Sequence, residues 1–193
     1  MPRLNSHKVL DDLIADVHAI INTVQNEFIT LDNDLLYKQP VPDKWSVNQC
    51  LQHLNVTSYH YLPRFKKAIE QAVGVCQKRK ESYRPSWLGN MAYNVTKPGA
   101  DGIIPKPMKT FKIEFNPIIA EYKQTSAIPE FLQQKKQLLH YLDQAKNINL
   151  GGNRIPSLIP IIRFKLGDAF RFLIAHEQRH ILQAKNVILA FSK

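Results

Sequence analysis

Two histidines four residues apart stand in the stretch Phe170-Arg-Phe-Leu-Ile-Ala-His176-Glu177-Gln178-Arg179-His180-Ile-Leu-Gln183. Residues at this spacing share one face of a helix. The stripe Leu173, His176, His180, Ala184 and Val187 carries that face past both imidazoles as an apolar surface, so the pair points toward a core. A single buried histidine is ordinarily a satisfied core residue. Two at this spacing can chelate one ion through their ring nitrogens, and metal binding is the chemistry they point to. His176-Glu177-Gln-Arg-His180 also fits the zinc-protease pattern H-E-x-x-H, in which the glutamate activates a metal-bound water. The tail after His180 holds no His, Asp, Glu or Cys to complete such a site, so a third ligand must lie upstream.

Long amphipathic helices must position these residues. Leu10, Leu13, Ile14, Val17, Ile21, Val24, Phe28 and Leu31 recur at helical spacing and predict a first helix over 6–31, ended by Asp32-Asn33-Asp34. Ser46 is a candidate N-cap for a second helix, whose apolar face runs from Val47 to Val73 with a kink or break expected at Pro63. His53 and His60 lie one heptad apart along its flank, and either could reach a bundle core. Residues 81–124 read as a long proline- and glycine-bearing connection with a short helix near Trp87–Tyr93. Trp87, Tyr93, Phe111 and Phe115 are candidates to cover one end of the bundle. Ser126 can cap a third helix, and after Gly151-Gly152 a last helix spans roughly Ile162–Phe191.

The chain has 193 residues, 44% of them hydrophobic, enough for one domain over 1–193 with a substantial core. No apolar run approaches a membrane span and the N-terminus lacks a signal-peptide core, so the cytoplasm is the expected compartment and no membrane partner is expected. Cys50 and Cys76 are too far apart along one helix to pair and read as small apolar fillers. The net charge of +10 raises an anionic partner, but the basic residues are scattered without a recognition-helix or zinc-finger pattern. Nucleic acid is therefore not the expected partner.

Four amphipathic helices with a long crossover between the second and third, and inward histidines, describe an all-α four-helix bundle with a metal site built from facing helices. Trp45-Ser-Val-Asn-Gln-Cys-Leu-Gln-His53-Leu and His176-Glu-Gln-Arg-His180-Ile-Leu-Gln183 together resemble the DinB-like (DinB/YfiT) metalloenzyme superfamily, over nearly the whole chain. The resemblance implies a bundle in which one histidine of the second helix and the last-helix pair bind a divalent metal. Eight residues separate Trp45 from His53, the spacing of the family motif, so the resemblance implies His53 rather than His60 as ligand beside His176 and His180. Nickel or zinc is the implied metal, with manganese or iron as further candidates, and relatives imply a low-molecular-weight thiol as co-substrate. The implied function is a thiol-dependent transferase or a hydrolase acting on a small electrophilic substrate. Glu177 is either a base for that chemistry or a residue lying between helices; Arg179 and Gln183 are candidate partners of the ligating imidazoles. The competing reading is a non-catalytic, stress-related binding protein that uses its basic surface. Relatives also imply a homodimer, and Ile20, Ile21, Ile174, Ile181 and Ile188 are more apolar surface than one seam uses.

Overall fold

The computed structural model describes residues 1–99, 103–104, 116–117, 125–159 and 161–192. Phe111, Phe115 and most of the crossover fall outside these. Four long helices make the body: α1 (Ser6–Thr23), α3 (Val47–Gly74), α5 (Ile128–Ala145) and α6 (Leu166–Phe191), with short α2 (Asn33–Tyr37) and α4 (Trp87–Thr96) between them. α1 and α3 each pack against both α5 and α6. The crossover therefore joins the second and third long helices, as the apolar periodicity predicts.

Local chemistry explains most boundaries. Asn5 caps α1 through Lys8 N–H, and the helix then widens to a π turn over Val24–Phe28, with both end residues buried. Asp32 does more than end this helix, because its carboxylate accepts from Leu35 N–H at 2.7 Å and starts α2. Ser46 caps α3 in a capping box: its hydroxyl accepts from Gln49 N–H, and the Gln49 side chain accepts from Ser46 N–H. α3 continues through Pro63 as one helix, so of the kink or break expected there the break does not occur. Arg64 places its guanidinium on the carbonyl of His60 in the turn that the proline leaves short of a donor.

The expected cap of the third long helix is shifted by one residue. Ala127 is the N-cap of α5 and has no side-chain cap of its own, while the Ser126 hydroxyl accepts from Ile128 N–H at 3.4 Å. Asn48 of α3 serves this end across the helix interface, its Oδ1 accepting from Ala127 N–H at 2.8 Å and its Nδ2 donating to Thr125 O at 3.1 Å. The last helix starts four residues later than expected, because β3 (Arg154–Pro156) and β4 (Arg163–Lys165) form an antiparallel hairpin before it, with Ile155 opposite Phe164. A second small pairing, β1 (Leu4–Asn5) with β2 (Ser82–Tyr83), ties the N-terminus to the end of α3's connection.

Three expectations about surfaces change. Ile20, Ile174 and Ile181 are buried within this one chain, and Ile21 and Ile188 pack partly buried on its core, so these residues do not form the surplus apolar strip expected of them. Trp87 is 67% exposed, while Tyr93 lies under the Arg171 guanidinium at 4.0 Å. Cys50 is buried as a filler, but Cys76 is exposed beyond the end of α3.

Candidate metal centre

The capping box at Ser46 fixes where α3 begins, and so which residues of its first turns face α6. His53 lies two turns in, buried, and meets His176 and His180 from α6, which are also buried. One nitrogen from each ring lies within 4.8 Å of the others, a grouping that could hold a metal ion. His53 Nε2 and His176 Nε2 are 3.1 Å apart. Two imidazole nitrogens on a tetrahedral ion with bonds of about 2.0–2.1 Å stand roughly 3.3–3.4 Å apart, close to the separation of His53 and His176.

Burial is the main influence on the protonation of the pair from α6. It holds His176 well below its usual value, and the nearby His180, His53, Arg179 and Lys135 act in the same direction. It does the same for His180, with His53 and Arg179 adding to the effect and the Gln183 hydrogen bond opposing it. Both rings are neutral at pH 7, the form that offers a lone pair. Gln183 Oε1 lies 3.0 Å from His180 Nδ1; with the proton on Nδ1, that nitrogen donates and Nε2 is left to face the cluster. His176 Nδ1 has no hydrogen-bond partner among the described residues. Trp45 lies beside the group, stacked 5.5 Å from His180 and tilted 4.8 Å from His53. Phe172, one turn before His176, stacks 6.0 Å from it.

His60 lies outside this group, edge-on to Tyr61 at 5.1 Å. Glu177 points away from solvent into an interhelical contact. Its Oε1 receives the Lys135 ammonium of α5 and the Ser58 hydroxyl of α3, at 3.3 Å from the latter, and both charged side chains are fully buried. Lys135 also stands 4.8 Å over the Phe131 ring. No motif of the sequence singles out Lys135, although a signal is present: it interrupts the apolar stripe Phe131, Leu138 and Leu142 at helical spacing.

No curated protein is matched by this chain. Its fold is similar to a solved structure described as "YfiT from Bacillus subtilis is a probable metal-dependent hydrolase with an unusual four-helix bundle topology". That likeness has a TM-score of 0.54 at 12% identity and covers 95% of this chain and 87% of the other. The family model of the DinB superfamily matches residues 22–184, a span that includes all three clustered histidines, the whole of α3 and most of α6. The chain belongs to the DinB superfamily.

Proposed function

We propose that this chain is a divalent-metal-dependent enzyme in which His53, His176 and His180 hold one ion, nickel or zinc ahead of manganese or iron. In this reading it acts as a hydrolase or a thiol-dependent transferase on a small electrophilic substrate. The observation that carries the proposal is the meeting of three buried imidazoles from two helices with their nitrogens within 4.8 Å. Three protein ligands leave at least one position open, as catalytic rather than structural sites do. An ion held there supplies Lewis-acid activation of a bound water or thiol.

The chain's own residues prepare the site. Burial keeps His176 and His180 unprotonated, Gln183 orients His180, and Trp45 stacks beside the His180 ring. Glu177 is assigned to holding helices together rather than to the chemistry, since it is fully buried with its Oε1 engaged by Lys135 and Ser58. The hydrolase class draws support from what is said of the YfiT structure, and the thiol alternative from the motif resemblance.

Protein purified without a histidine tag and loaded with nickel or zinc should retain close to one ion per chain by elemental analysis. His180→Ala should lower the affinity by about a hundredfold or more, because two ligands hold far less well than three. Retention below about a tenth of an ion per chain would sink the proposal. Trp45 gives a second readout, since an ion bound beside its stacked histidines should change its fluorescence. A screen of thiols and of ester or amide substrates with loaded protein then separates transferase from hydrolase.

A further inference from the structure

An apolar edge ringed by cations lies about 15 Å along α6 from His176, at the end where that helix begins. α4 packs on α6 and β4, and its opposite face presents Trp87, Met91 and Val95 at 67%, 43% and 51% exposure, one turn apart along a single line. The β3–β4 connection adds Ile159 at 45% and Ile161 at 93%. These are large apolar side chains left in water.

The cations come from separate parts of the chain. Arg163 and Lys165 alternate with the inward Phe164 on β4, and Arg154 lies across the hairpin from Lys165. The Lys165 ammonium donates to Arg84 O at 2.7 Å, which places Arg84, three residues before Trp87, beside the same strand. The exposed run Lys78-Arg79-Lys80 leads into β2 just upstream. Glu81 is the one acidic residue between Gln77 and Trp87.

Three occupants are conceivable for such a face. A second copy related by a two-fold axis would set the cations of one chain against those of the other, which charge repulsion disfavours. A nucleic acid would use the cations but leave Ile161 and the α4 stripe without a partner. A lipid surface uses both, since tryptophan and aliphatic tips enter the boundary between headgroups and acyl chains while Lys and Arg meet anionic headgroups. We propose that the outward face of α4 and the tip of the β3–β4 hairpin dock this protein on an anionic bilayer, with Trp87 and Ile161 entering the interface and Arg84, Arg163 and Lys165 on lipid headgroups. Docking of this kind departs from the expectation of no membrane partner, which the sequence supports only through the lack of an apolar run of spanning length. No helix among the described residues is long and apolar enough to cross a membrane, and peripheral docking needs none.

The test is co-sedimentation of the full chain with vesicles of phosphatidylcholine alone or with about 30% phosphatidylserine. The wild type should bind the anionic vesicles at least about tenfold more tightly, with a blue shift in fluorescence that Trp87→Phe abolishes. The pair Trp87→Ser/Ile161→Ser and the pair Arg163→Gln/Lys165→Gln should each weaken binding about tenfold or more while leaving thermal unfolding unchanged. No binding by the wild type, or equal binding by both paired variants, would overturn the proposal. So would a concentration-dependent dimer that Trp87→Ser/Ile161→Ser abolishes, which would give the face to a second copy. Salt-sensitive DNA retention lost in Arg163→Gln/Lys165→Gln, without vesicle binding, would give it to nucleic acid.

Discussion

Gln183 holds His180 at a distance of 3.0 Å, and a contact of this kind fixes both the tautomer and the angle of a ligating ring. Gln183→Ala should therefore weaken metal affinity by roughly 10–100-fold while moving the melting temperature of metal-free protein very little. Calorimetric titration against the wild type measures the first effect, and an unchanged affinity would remove Gln183 from the site. Much at this scale is legible in the sequence. The i, i+4 pair of α6 follows from periodicity, and Trp45 reports His53 because both belong to one capped helix start whose phase is set by Ser46 and Gln49. His60 shares nearly the same line but lies one heptad on, where α3 presents it to Tyr61 instead. The break that Lys135 makes in its apolar stripe is legible, but its pairing with Glu177 is not, because it joins helices across 42 residues of sequence.

The elements owe their placement to polar contacts that span long stretches of chain. α4 is fastened to α6 by Asp168, whose Oδ2 accepts from both the N–H and the hydroxyl of Ser86 at 2.9 and 2.7 Å. Gly89 permits this approach, since a Cβ there would stand 2.5 Å from Asp168 Oδ2. Gly→Ala inside a helix normally stabilises by about 1 kcal/mol; Gly89→Ala should instead destabilise by roughly 1–3 kcal/mol in chemical denaturation. Burial raises the Asp168 carboxyl above its usual value, against the opposing Ser86 hydrogen bonds and the charges of Arg171 and Lys165. A carboxyl raised in the folded state gives stability that is present at acid pH and is lost as pH climbs through its folded value. Asp168→Asn should thus gain stability relative to the wild type as pH rises from about 4 toward 7, and a flat difference between the two across that window would contradict the assignment. The helices themselves are legible from their periodicity and caps. The β3–β4 hairpin and the service of Asn48 to α5 are not, because two three-residue strands carry too short a pattern and Asn48 acts 79 residues away.

Across the whole molecule, the Lys135–Glu177 pair is where the bundle is most exposed to a single error. The two charges lie at 0% exposure and join α5 to α6, with Ser58 of α3 bonded to both. Desolvation lowers the affinity of Lys135 for its proton and the Glu177 carboxylate restores part of it, so each charge depends on the other for its place in the core. Removing either partner strands the remaining one. Lys135→Met should cost about 3–5 kcal/mol, enough to threaten a fold whose total stability is on the order of 5–15 kcal/mol. Glu177→Leu should cost a similar amount by leaving the ammonium unpaired. The double variant removes both charges and fills the same space with apolar atoms, so it should recover most of the loss, as replacement of buried pairs by packed hydrophobic residues commonly does. A double-mutant cycle in urea separates the two possibilities at this position. Strong coupling, with the double variant more stable than either single one, assigns Glu177 to holding three helices together. Additive effects below about 1 kcal/mol would mean that the pair holds little, and would return Glu177 to consideration as a base beside the histidines.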